Sequence, residues 1–142
     1  MRRAIRSAMK PYRLPVDARI TIGFISDDEM RVLNRRYRRK DKTTDVLSFG
    51  QSVRRAKGEQ AVRKLARDED GELEVGDVLI SAAQAERQAR RRKHRLVWEI
   101  AFLAAHGTLH LLGFEDATPS GYREMVRLGT AATEEALAES SR

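Results

Sequence analysis

Residues 96–113, LVWEIAFLAAHGTLHLLG, form the most apolar stretch of the chain. They predict a helix from Leu96 to Leu112, and a helix this apolar belongs at the centre of a fold because its surface has to be buried. Gly113 follows directly and predicts a left-handed cap that ends the helix and turns the chain. We therefore expect the rest of the chain to pack around this helix.

The segments on either side alternate between predicted helices and strands. Ser26 and Ser81 each begin the spacing of a capping box, and Thr118 with Pro119 fits the start of a last helix. The predicted elements are helix 2–10, strand 18–25, a helix from 27, strand 46–49, strand 74–80, a helix from 82, helix 96–112 and a helix from 119. This order predicts an α/β (α+β) fold, with a small mixed sheet of three to four strands covered by about five helices.

The length of 142 residues predicts one domain spanning residues 1–142. Residues 50–72 differ from the rest because they are charged, poor in apolar residues and without a clear period. We expect them to form a flexible charged insertion with one or two helical turns near residues 61–67.

The charge balance suggests an anionic partner. Lys and Arg number 28 against 21 Asp and Glu, a net charge of +7, and most of the cations are arginines. Such a surface suits a polyanionic partner, although a genome that encodes Arg wherever a cation is tolerated would leave the same signature. The absence of Cys excludes a disulfide-linked partner. No stretch approaches the 20 or so apolar residues of a membrane span, so we expect a cytoplasmic protein.

Two of the three histidines, His106 and His110, lie four residues apart and therefore share one face of the central helix. With Gly113 and Asp116 they form H-x3-H-x2-G-x2-D, the ligand spacing of zinc proteases that carry H-E-x-x-H-x-x-G-x-x-H. Two imidazoles and a carboxylate leave one coordination position open, as a catalytic zinc ion needs. We predict a metal site at the end of the central helix. A metalloprotease is disfavoured, because Gly107 occupies the position where those enzymes carry the Glu that acts as general base.

Three blocks of sequence resemble the YbeY family of bacterial endoribonucleases. Residues 106–116, HGTLHLLGFED, are similar to its H-G-x-L-H-L-x-G-Y-D-H signature. Residues 34–49, NRRYRRKDKTTDVLSF, and residues 76–81, GDVLIS, resemble two further blocks that occur in the same order.

The resemblance implies an α/β fold with one Zn²⁺ per chain and cleavage of single-stranded RNA. It further implies a role in 16S rRNA 3′-end maturation and ribosome quality control, with the small ribosomal subunit as partner. His106 and His110 match two family zinc ligands, and Arg38 matches an arginine that the family uses beside the metal.

Asp116 departs from the family pattern, which has a third His there. Two His and one carboxylate also suit Fe²⁺ or Mn²⁺. Glu115 is the alternative third ligand. The departure leaves open a second function, a ribosome-associated RNA-binding factor with weak or lost catalysis.

Basic residues flank Arg38 at the end of the second helix and are candidates for phosphate contacts: Arg35, Arg36, Arg39, Lys40 and Lys42. A second basic run, residues 87–95, fits RNA contact and a solvated helix face equally well. We expect Tyr37, Trp98 and Phe102 to point into the core and His94 to lie on the surface. The alternative for Trp98 and Phe102 is a platform on which bases stack.

Overall fold

The computed structural model describes residues 1–53 and 55–140. Within them, three strands are present: β1 (Arg19–Ile25), β2 (Val46–Gly50) and β3 (Glu74–Ser81). The helices of these residues are α1 (Arg2–Met9), α2 (Asp27–Arg38), α3 (Glu59–Arg63), α4 (Ala82–Arg92), α5 (Leu96–Leu111) and α6 (Pro119–Ser140). The predicted order of elements is confirmed, and α3 overlaps the helical turns predicted near residues 61–67 but begins two residues earlier. None of the helices in the described part of the chain is long and apolar enough to cross a bilayer.

The strands form one mixed sheet with β3 at its centre. β1 pairs with β3 in parallel, and β2 pairs with it antiparallel, so that Ile80 lies opposite both Phe24 and Val46. Val75, Val78 and Ile80 of β3 are buried. The predicted α/β class and the mixed sheet are confirmed.

Helix α5 packs on the sheet and on helices α1, α4 and α6, as expected for a central helix. It packs on β2 and β3 on one side and on α1 and α6 on the other. Gly107 allows the close approach to the sheet, since a Cβ there would lie 2.5 Å from Val78 Cγ1. The Ser48 hydroxyl donates a hydrogen bond of 2.8 Å to the carbonyl oxygen of Gly107 and fixes the contact.

The predicted helix starts are confirmed at their caps. Ser26 and Glu29 form a complete capping box at α2. Ser81 caps α4 by accepting a hydrogen bond from the Gln84 amide at 3.2 Å. Thr118 does the same for Gly121 at the start of α6, at 3.0 Å.

Residues 50–72, expected to be a flexible insertion, contribute to the core at two points. Ala56 is 7% exposed and Ala61, in α3, is fully buried. The Gly58 amide donates to the carbonyl oxygen of Leu112 at 2.8 Å, which joins this segment to the end of α5. Val62 and Leu65 add partly buried contacts with the core. The spacing of these four apolar residues makes no period that the sequence reveals, so the contacts were not predicted.

Candidate metal centre and cleft

A cleft of about 820 Å³ opens beside α5 and is lined by side chains from five parts of the fold. The end of α2, strand β2 and the end of α4 contribute to its walls, together with one face of α5 and the first turns of α6. His106, His110 and Asp116 all line it. Residues distant in sequence therefore share one concave surface, as ligand sites usually require.

The three predicted ligands converge in this cleft. Asp116 Oδ2 lies 3.2 Å from His106 Nε2 and 3.3 Å from His110 Nε2. The ligand atoms of all three residues lie within 4.8 Å of one another. The four-residue spacing on α5 aligns the imidazoles, and the turn at Gly113, with φ +87°, brings Asp116 back towards them.

Each histidine is oriented in a different way. His110 Nδ1 lies 2.9 Å from the carbonyl oxygen of Phe114. Because a carbonyl oxygen only accepts, Nδ1 carries a proton, and Nε2 is the ring nitrogen that faces Asp116. His106 Nδ1 is buried and has no hydrogen-bond partner among the described residues. The His106 ring packs against Phe102 and His110, and its Nε2 lies 3.2 Å from Asp116 Oδ2.

The electrostatics of the cluster favour the forms that bind metal. Burial lowers the pKa of His106 below its usual 6.5, and the adjacent His110 lowers it further, against the opposing charge of Asp116. Burial alone would raise the pKa of Asp116, but His110 and His106 outweigh it and hold that pKa below 3.8. At neutral pH the site therefore offers a neutral His106 and an ionised Asp116, as metal binding requires.

The donor set fits a divalent metal ion, because two imidazole nitrogens and one carboxylate oxygen form an accepted catalytic zinc site. Glu115, the alternative third ligand, also lines the cleft, but it is exposed and stands outside the group of three. The geometry therefore favours Asp116 over Glu115.

Comparison with known proteins agrees with this geometry. The model of the family described as Endoribonuclease YbeY matches residues 1–136. The chain belongs to the YbeY family. The resemblance stated from the three sequence blocks is thereby confirmed.

Individual relatives support the same assignment. Endoribonuclease YbeY of Geobacillus thermodenitrificans is 38% identical over 121 residues, which cover 85% of this chain and 74% of that protein. Endoribonuclease YbeY of Pelotomaculum thermopropionicum is 42% identical over 113 residues, covering 80% and 68%. A solution structure of a Thermotoga maritima protein is similar in fold, with a TM-score of 0.59 and 24% identity over 97% of this chain and 79% of that one.

The arginine that matches the YbeY motif is in the cleft, whereas its basic neighbours are not. Arg38, the last residue of α2, lines the cleft. The other predicted phosphate contacts are exposed outside the lining: Arg35, Arg36, Arg39, Lys40 and Lys42. The Arg36 guanidinium lies 5.4 Å from the centre of the Tyr37 ring.

Three aromatic side chains of this YbeY chain were predicted to point into the core, and the structure agrees only in part. Phe102 is 8% exposed, so its predicted place in the core is confirmed. Trp98 packs against the core but also lines the cleft. The inward prediction for Tyr37 is wrong: it is 56% exposed at the cleft, and Asn34 takes the buried position on α2.

Two further cleft residues, Arg92 and His94, lie in the second basic run. The sequence offered no signal that separates them from the arginines around them. His94 is near the surface as predicted, with its side chain 37% exposed, but that surface belongs to the cleft.

Proposed function

We propose that this chain is a metal-dependent endoribonuclease that cleaves single-stranded RNA in the 3′-end maturation of 16S rRNA and in ribosome quality control. The observation that carries the proposal is the cluster of His106, His110 and Asp116 in a cleft that also holds Arg38. Membership of the YbeY family, whose relatives are named endoribonucleases, supports the reaction class. We expect the small ribosomal subunit as partner and the cytoplasm as location.

The proposed roles follow from the donor atoms. When bound, a divalent ion supplies a Lewis acid that polarises water or a phosphoryl oxygen. His106 and His110 hold it through Nε2 and Asp116 through a carboxylate oxygen, with the Phe114 carbonyl orienting His110. The Arg38 guanidinium pairs with the scissile phosphate and offsets the negative charge that builds there during cleavage.

We propose Zn²⁺ as the ion, one per chain. The carboxylate of Asp116 gives the site one more negative charge than three histidines would, and it adds a hard oxygen ligand. Two His and one carboxylate also suit Fe²⁺ and Mn²⁺, so the same site accommodates these ions.

The exposed basic cluster beside Arg38 is proposed to hold RNA phosphates outside the cleft: Arg35, Arg36, Arg39, Lys40 and Lys42. Contacts of this kind position the strand without reading its sequence. They would make binding weaken as the salt concentration rises.

Two other readings have less support. The RNA-binding factor without catalysis rested on Asp116 as a sign of a degraded site, yet its carboxylate stands within 3.3 Å of both imidazoles. A metalloprotease would need a base at Gly107. A Cβ there would point at Val78 in the sheet, so a side chain at that position would not face the cluster.

The test is cleavage of single-stranded RNA by the zinc-loaded chain and by its His110→Ala variant, with RNA binding measured in parallel. We expect the variant to bind RNA and to lose cleavage. Equal cleavage by both proteins would reject the site. Binding without cleavage by the wild type, loaded with each of the three ions in turn, would favour the RNA-binding factor.

A further inference from the structure

A continuous ladder of rings runs through the cleft, and the metal centre uses only one end of it. Its members are four residues apart and all line the cleft: His94, Trp98, Phe102, His106 and His110. Neighbouring ring centres are 4.3, 5.4, 5.8 and 4.9 Å apart in that order. Trp98 and Phe102 stack almost in parallel, at 8°. His94 and Trp98 form the outer end of this ladder. Since Trp98 precedes His106 by eight residues, Trp98 lies about 12 Å along the helix from His106.

A buried carboxylate organises this outer end. Glu99 is fully buried, and one of its oxygens accepts hydrogen bonds from Gln88 at 3.0 Å and from Arg92 at 3.1 Å. Its other oxygen lies 3.3 Å from His94 Nδ1. Because a buried carboxylate is costly unless it is paired, Glu99 keeps Arg92 and His94 in position beside Trp98.

Arg92 differs from the other arginines of its helix in facing the cleft. Arg87 is paired with Asp27 and Arg90 with Glu86, and neither lines the cleft. The Arg92 side chain is 42% exposed. The bond to Glu99 uses one of the five guanidinium N–H groups, which leaves donors for an anion that enters the cleft.

We propose that Trp98, His94 and Arg92 form a nucleotide subsite for single-stranded RNA, in which a base stacks on the outer end of the ladder and its phosphate pairs with Arg92. The proposal rests on the proposed ribonuclease function and extends it. Stacking on an aromatic ring is sequence-tolerant, because every base has a π-face. In a duplex those faces are already covered by neighbouring base pairs, so the subsite selects unpaired RNA.

Trp98 is the chain's single tryptophan, so its fluorescence reports directly on the subsite. The full chain is titrated with a short oligouridylate, with an RNA duplex of the same length and with an abasic oligomer that carries the same phosphates. We expect the oligouridylate to quench Trp98 and the other two to do so much less. Unchanged Trp98 fluorescence at an oligouridylate concentration that saturates binding, measured by anisotropy of a labelled oligomer, would overturn the proposal.

Variants separate stacking from a merely structural role. Trp98→Leu keeps an apolar side chain but removes the ring, and should weaken oligouridylate binding about five-fold or more, with little effect on the abasic oligomer. Trp98→Phe keeps a ring and should retain most of the affinity. Equal losses for both oligomers in Trp98→Leu would overturn the stacking role, and thermal melting checks that each variant is folded.

Arg92→Gln tests the phosphate contact and should weaken binding of both oligomers. Arg91→Gln is the matched control, because Arg91 is exposed on the same helix outside the cleft. Equal effects of the two substitutions would reject the Arg92 contact.

The experiments distinguish a failure of the proposed subsite from a failure of the proposed function. Cleavage of oligouridylate by the metal-loaded chain without any change at Trp98 would remove the subsite and leave the nuclease. Quenching of Trp98 without cleavage would support the subsite and contradict the nuclease.

Discussion

The Nδ1 atom of His110 donates a hydrogen bond of 2.9 Å to the carbonyl oxygen of Phe114, four residues later. This bond closes the turn that ends α5 and sets the tautomer that directs Nε2 at Asp116. Phe114 is itself buried, and its ring packs against Tyr12 at 5.6 Å. The same turn therefore orients one proposed ligand and delivers another.

Gly113 makes this turn possible, and Gly113→Ala is expected to damage both stability and metal binding. Its φ of +87° is strained for an alanine, and a Cβ would lie 2.0 Å from the Ala56 carbonyl oxygen. Misplacing His110 and Asp116 should lower zinc affinity at least about 10-fold, by analogy with the loss of outer-shell support at metal sites.

Gly71→Ala is the control for this substitution, because Gly71 has a similar φ of +78° with nothing within 4 Å of the added Cβ. It should cost some thermal stability and leave zinc affinity unchanged, as measured by chelator competition. A loss of zinc affinity in Gly71→Ala equal to that in Gly113→Ala would contradict the role of the turn.

Asp116 is expected to be the third metal ligand. Asp116→Asn keeps the shape and removes the charge, so zinc affinity should fall strongly, while Asp116→His should restore it because imidazole is also a zinc ligand. Glu115→Gln removes the same charge from the neighbouring exposed residue and should leave zinc affinity nearly unchanged. The reverse pattern in isothermal titration would assign the ligand to Glu115.

The cluster of His106, His110 and Asp116 could be predicted from sequence because its members are close together in the chain. Helical spacing aligns His106 with His110, and a glycine turn has a known geometry, so Asp116 followed from local rules. The cleft could not be predicted in the same way. Its walls include β2, whose position depends on pairing with β3, and pairing across a long segment leaves no local signal.

Side chains on α2 and α5 show what hydrophobic periodicity does not predict. Periodicity predicts which residues share a face, but not whether core or cleft lies opposite that face. Tyr37 continues the apolar pattern of α2 and yet is exposed. Asn34 is buried, and its side-chain amide donates to the Lys42 carbonyl at 2.8 Å, a contact that hydropathy does not reveal. Periodicity likewise does not reveal that Trp98 packs against the core and also lines the cleft.

Arg38 is expected to contribute to cleavage more than to binding. Arg38→Gln should lower kcat for single-stranded RNA by about 100-fold, the usual cost of removing one group that stabilises charge in the transition state. Arg91→Gln removes the same charge outside the cleft and serves as the control. A rise in KM by a similar factor, with kcat unchanged, would instead show that Arg38 contributes only to RNA binding.

Asp27 links α2 to its neighbours and should make stability depend on pH. Its carboxylate accepts hydrogen bonds from Arg87 at 2.8 Å, from Ser81 at 2.9 Å and from Thr43 at 3.3 Å. The bond from Arg87 is the main reason that the pKa of Asp27 lies below 3.8, although partial burial opposes the shift. The stabilisation is therefore complete well above pH 3.8 and is lost as the pH falls below that value.

Asp27→Asn should accordingly melt at a lower temperature than the wild type at pH 7, and the difference should shrink as the pH is lowered below 3.8. Asp28→Asn is the control, because Asp28 is an exposed residue in the same helical turn. If the difference in melting temperature between Asp27→Asn and the wild type stays constant as the pH falls below 3.8, the ionic origin of the effect is contradicted.

The most direct test of the account is the metal content of the untagged chain after loading with Zn²⁺ and dialysis, measured by elemental analysis. We expect close to one ion per chain in the wild type and a large loss in His110→Ala. A wild-type chain that remains empty, or a His110→Ala chain that holds as much zinc as the wild type, would contradict it.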